Sequence, residues 1–276
     1  MAWQANLDLA YARHGERVVA HHQHSGPLRI LQSLYPEGDG ICHNVLVHPP
    51  GGLVGGDTLD ITVSAESGSH GLITTPGATR FYRSEGPQAL QYTRVHLQTG
   101  SRLEWLPLEA LCYNQCQAEN RLVMQLEPDA ELLGWDVTAL GLPNAGLPFV
   151  QGRFGQHIEV PGVWLERGLV DASDLRLMDS AAGLAGARCM ASLFFVSGSA
   201  IERKRKQQAL DTARELIANH ALAATAGATS PNPQVLVVRV LAPVVEPAMQ
   251  LLRSVRSAWR QELWHLADCS PRIWAM

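Results

Sequence analysis

Leu59-Asp60-Ile61-Thr62-Val63-Ser64-Ala65-Glu66 alternates apolar and polar residues without a break. A period of two places one set of side chains on each face of an extended chain, so the stretch predicts a strand with one buried face. The pattern recurs at Leu122, Met124 and Leu126, set against Arg121, Val123 and Gln125. Val45–Val47 and Leu72–Thr74 are shorter apolar pieces of the same kind. Gly and Pro clusters separate them: Pro49-Pro50-Gly51-Gly52, Pro76-Gly77, Gly86-Pro87, Gly141–Pro148 and Pro161-Gly162. Many short strands at close spacing point to an all-β sandwich, barrel or β-helix.

Two later segments have a different period. In Glu202–Leu222, residues Ala209, Leu210, Ala213, Leu216, Ile217 and His220 recur at helical spacing, opposite the basic run Arg203-Lys204-Arg205-Lys206, which is expected to be a solvated helix face. From Pro247 to about Leu266, the stripe Leu252, Val255, Trp259, Leu263 predicts a second helix, with Pro247 in its first turn. Val235–Leu241 between them predicts a buried strand, and Thr229–Pro233 a loop before it. No internal repeat or composition break divides the 276 residues, so one domain is expected. The fold expected is mainly β, with two α-helices towards the C-terminal part.

Composition removes several function classes. A net charge of −4 argues against a nucleic-acid binder. Met1–Ala20 has no apolar secretory core, and five cysteines is an odd number, so a reducing, cytoplasmic setting is expected. Cys189–Ile201 is too short for a spanning helix, so no membrane is expected.

The candidate motifs are weak ones. Gly51-Gly52-Leu53-Val54-Gly55-Gly56-Asp57-Thr58 has phosphate-loop spacing, but Asp57 stands where the loop lysine belongs and would repel phosphate. A tight turn, with Asp57 capping nearby N–H groups, is the plainer reading. In His21-His22-Gln23-His24 only His22 and His24 converge on a strand, and a solvated tract is expected. Cys112 and Cys116 match zinc spacing loosely without a second ligand pair. Two acids sit in apolar surroundings: Asp136 in Leu133-Gly134-Trp135-Asp136-Val137, and Glu166 in Val163-Trp164-Leu165-Glu166-Arg167. Burial of either needs a partner, which Arg167 or a metal would supply. No motif of a hydrolase elbow, zinc protease, dinucleotide fold or Cys-x-x-Cys pair is present, which favours a binding or scaffold protein over an enzyme.

A series of strings, in order along nearly the whole chain, resembles one family, the urease accessory proteins UreD (also UreH). They are Trp3-Gln4-Ala5, Gly26-Pro27-Leu28, Tyr35-Pro36-Glu37, Cys42-His43, His48–Asp57, Thr74–Ser84, Leu103–Pro107, Gly134-Trp135-Asp136, Leu140-Gly141, Leu165-Glu166-Arg167 and Pro271-Arg272-Ile273-Trp274. The chain departs from the family at Leu106-Pro107-Leu108-Glu109, where relatives often read Leu-Pro-Gln-Glu, and Cys112–Cys116 matches no family string. The resemblance implies a β-helix-like body with two helices and a scaffold rather than an enzyme. It implies a hetero-oligomeric complex with urease apoprotein and UreF, and through UreF with the GTPase UreG. No tightly bound cofactor is expected. Nickel in transit would follow a water-filled passage, and Asp57, Asp136 and Glu166 are the family-matching acids for it. A metal- or small-ligand-binding β-protein without a urease partner is the alternative.

Overall fold

The computed structural model describes residues 2–275. In chain order the strands are β1 Gln4–His14, β2 Arg17–Ser25, β3 Arg29–Ile30, β4 Cys42–Val47, β5 Gly52–Leu53, β6 Thr58–Ala65, β7 His70–Thr74, β8 Thr79–Phe81, β9 Ala89–Leu97, β10 Arg102–Leu106, β11 Ala110–Cys112, β12 Gln117–Leu126, β13 Glu131–Leu142, β14 Leu147–Pro148, β15 Arg153–Val160, β16 Trp164–Asp171, β17 Cys189–Ser197, β18 Ala226–Asn232 and β19 Val235–Ala242. The helices are α1 Leu175–Asp179, α2 Arg203–Ala218 and α3 Val245–Trp264. The fold is mostly β, as expected.

Successive coils each add one strand to two facing sheets. In the first sheet β1, β6, β9, β12 and β15 pair in parallel, with antiparallel β2 and β16 at its edges. In the second, β4, β7, β10 and β13 pair in parallel and antiparallel β17, β19 and β18 extend it. Short β5, β8 and β11 stack along a third face. This is the stacking of a β-solenoid.

Alternation decides which side each residue faces. In β6, Leu59, Ile61, Val63 and Ala65 are buried while their neighbours are half-buried, as the sequence pattern predicts. In β13 the even positions Leu132 and Leu140 join the core between the sheets, and odd Leu133, Trp135 and Val137 face the helices. The second sheet is therefore buried on both faces, which accounts for the continuous burial of Glu131–Gly141. α2 buries Ala209, Leu210, Ala213 and Ile217, and α3 buries Leu252, Val255, Trp259 and Leu263, the stripes read from sequence.

Three readings change. Thr229–Pro233 is not a free loop. Thr229–Asn232 belongs to edge strand β18, with a bulge that accommodates Pro231. A third helix, one-turn α1, is present because the Asp174 carboxylate accepts from Leu177 N–H. The basic run on α2 is not wholly solvated, since Arg205 reaches back 2.6 Å to buried Glu131.

The stretches His48–Asp57 and Thr74–Ser84 meet. A Cβ on Gly52 would lie 2.2 Å from the Tyr82 ring, and one on Gly55 2.1 Å from Ser84 Oγ, so side chains there would push the blocks apart.

Candidate functional site: a polar seam between the sheets

Inward positions of most strands carry apolar side chains, but one level of the sandwich does not. In the first sheet Gln91 (β9), Asn120 (β12), Gln156 (β15) and Gly168 (β16) are register partners in a row. Facing them in the second sheet is the row Asp136 (β13), Ser192 (β17), Arg239 (β19). Glu166 lies one inward position along β16 from Gly168.

These side chains form a chain of contacts. Gln91 Nε2 donates to Asn120 Oδ1 at 3.2 Å, and Asn120 Nδ2 donates to Asp136 Oδ2 at 2.8 Å. Gln156 Nε2 donates to Asp136 Oδ1 at 2.6 Å and Thr138 Oγ1 approaches it at 3.4 Å. Glu166 is held by Arg239, Nη2 to Oε2 at 2.6 Å, and by Ser192 Oγ at 3.5 Å. A cavity lies at each end of the seam. One of about 200 Å³ is lined by Gln91, His48, Thr75 and Trp105. The other, about 480 Å³, is lined by Gln156, Glu166, Ser192 and Arg239.

Asp136 has no cationic partner among these contacts. Burial pushes its carboxyl up to about 6; the Glu166 charge adds to that, while the donors Gln156, Thr138 and Asn120 work against it. A cation entering the seam would supply the missing charge. The amides of Asn120 and Gln156 can rotate to present oxygen instead of N–H to it. Oxygen donors of this kind hold a borderline divalent ion weakly. Thr93 Oγ1, the next inward polar atom on β9, is buried without a partner.

The predicted acids are thus divided. Asp136 and Glu166 come together in the seam. Asp57 does not join them: its carboxylate accepts from Trp3 N–H at 3.1 Å and Val54 N–H at 2.9 Å, capping the glycine turn. The partner of Glu166 is Arg239, not Arg167, because consecutive strand residues face opposite ways and Arg167 lies on the outer side of β16. Cys112 and Cys116 are both buried, on a strand and at an isolated bridge to Arg83; burial first, then the adjacent Cys116 thiol, raises the Cys112 thiol well above its ordinary range. Among the described residues no group of three or more His, Cys, Asp or Glu side chains could hold a metal ion, and no helix is long and apolar enough to cross a membrane.

Sequence reasoning missed Gln91, Asn120, Gln156, Ser192 and Arg239. The signal was there for Gln91: it occupies an inward position in the alternating run Ala89, Gln91, Thr93, Val95, Leu97, where an apolar residue is the rule.

A family model described as UreD urease accessory protein matches residues 4–275. Proteins named urease accessory protein UreD from Polaromonas naphthalenivorans and Paracidovorax citrulli are each 68% identical over 276 residues, covering all of both chains. One from Leptothrix cholodnii is 53% identical over 277 residues, covering 99% of each.

Proposed function

The chain belongs to the UreD family of urease accessory proteins, and from that premise we propose that it serves urease maturation as a non-catalytic cytoplasmic scaffold. In this reading it binds urease apoprotein and UreF, recruits UreG through UreF, and gives nickel a path to the urease active site. The observation that carries the path is the seam between the two cavities, where Asp136 is buried without a cation and Glu166 stands at the second cavity.

The chemistry suits transit rather than storage. An ion must bind well enough to enter and weakly enough to leave. Spaced carboxylates, amide oxygens and water meet that need, whereas a closed Cys/His cage would retain nickel. Asp136 and Glu166 are the transit acids, and Asp57 caps the glycine turn. Leu165 and Leu169, each 58% exposed on edge strand β16, offer apolar surface to a protein partner.

The test is Glu166→Ala in cells that assemble urease, scored by urease nickel content and by UreF pull-down. Nickel content falls and UreF binding persists if the seam carries the ion. Unchanged nickel content sinks the passage.

A further inference from the structure

The β1–β2 hairpin holds a feature that neither the seam nor the scaffold role uses. β2 is an edge strand, paired with β1. His22 and His24 are two apart on it and point to the same side. Both are exposed, and their rings stack at 5.8 Å between centroids with planes 12° apart.

We propose that His22 and His24 form a chelating pair for a borderline divalent cation such as Ni²⁺. Such ions favour imidazole nitrogen. With metal–nitrogen bonds of about 2.1 Å, two adjacent ligands sit about 3 Å apart, which rotation of two exposed parallel rings reaches. The open edge leaves room for the waters that complete the coordination shell. Two protein ligands make an exchangeable site.

One contact opposes the ion. Arg29 Nη1 lies 3.4 Å from His24 Nδ1, where it holds that nitrogen as an acceptor. A ring that binds metal through Nε2 must carry its proton on Nδ1, so Arg29 has to let go. That release costs little, because the contact is long and Arg29 Nη1 also donates to the Leu28 carbonyl at 2.6 Å. His14 and His21 form a second pair, 6.1 Å apart, but tilted by 53° and drawn from two strands. They provide the competing assignment.

The experiment is a calorimetric titration of the full chain with NiCl₂. Wild type shows a weak site that the His22→Ala/His24→Ala double variant loses, and either single variant weakens it about tenfold or more. Arg29→Gln tightens it. All of these side chains are exposed, so thermal melts should match wild type and exclude misfolding. An unchanged isotherm in the double variant overturns the proposal, as does loss of the same site in His14→Ala/His21→Ala with His22 and His24 intact. Because Asp136 and Glu166 are untouched, neither result bears on the seam.

Discussion

Two buried carboxylates on neighbouring strands of one sheet show opposite solutions to one problem. Glu104 on β10 faces the helices; Asp136 on β13 faces the other sheet. Arg256 lies 2.6 Å from Glu104, Arg260 also pairs with it, and the His70 ring stands 3.6 Å away. Burial would raise the Glu104 carboxyl, but Arg256, His70 and Arg260 together hold it down at about 2. Asp136 receives only neutral donors and rises to about 6. The first carboxylate is matched in charge and ties α3 to the sheet. The second lacks a counter-charge, which is what the proposed passage asks of an acid that meets a mobile cation.

The largest test of this contrast is Glu104→Gln. It leaves Arg256 and Arg260, 1% and 0% exposed, without their shared counter-charge. Breaking a buried pair from one side costs about 3–5 kcal/mol, so urea unfolding should show a loss of that size. A small loss would mean that Glu37, which also pairs with Arg260, carries the cluster.

Next is the helix side without the acid. Trp274 donates to Thr74 Oγ1 at 2.8 Å and packs on Trp135 at 5.1 Å. Trp274→Ala should cost about 2 kcal/mol in the same assay, from one hydrogen bond and one aromatic contact. The proposed nickel passage lies on the other face of the sheet, so under that proposal urease nickel content should be unaffected beyond that loss.

The acids also respond to pH in opposite senses. Asp136 is raised, so folding favours its protonated form. Its contribution is fully present below the unfolded value near 3.8 and is lost as pH rises through about 6. Acidifying from pH 7.5 to 5 should therefore stabilise wild type by roughly 1 kcal/mol relative to Asp136→Asn. Glu104 is lowered, so its contribution is present above about 4.5 and is lost as pH falls towards 2. Parallel stability curves for wild type and Asp136→Asn would erase the distinction.

The smallest effect on stability belongs to Arg239→Gln. Its side chain is 47% exposed and that of Glu166 21%, so solvent screens the pair and the loss should be about 1 kcal/mol or less. A larger loss would place Glu166 with Glu104 as a structural acid.

Much of the solenoid was readable because burial on one face leaves a period in the chain. Leu59–Ala65 and the α3 stripe carry their geometry in their spacing. Ion pairs leave no such trace. Glu104 lies 152 residues from Arg256, and Glu166 lies 73 from Arg239. The sign shared by Glu104, Asp136 and Glu166 is an acid inside an apolar run, and it reports burial without naming the partner. Arg167, the chain neighbour of Glu166, cannot pair with it because strand neighbours face apart. Asp57 was legible twice over, as a family acid and as a turn cap, and the cap is the role its hydrogen bonds fulfil.

The clamp around Arg260 has a consequence for the order of synthesis. Glu37 precedes its partner Arg260 by 223 residues. At translation rates of about 5–20 residues per second, that separation lasts roughly 10–45 s. The coils can stack as they emerge, since each pairs with the one before it. Their helix-facing side, with Leu72, Leu133 and Trp135, stays uncovered until α3 arrives. During that interval Glu104 remains hydrated on an open apolar sheet. For that interval the nascent solenoid has both sheets but carries an uncovered apolar face, the kind of surface through which folding chains aggregate.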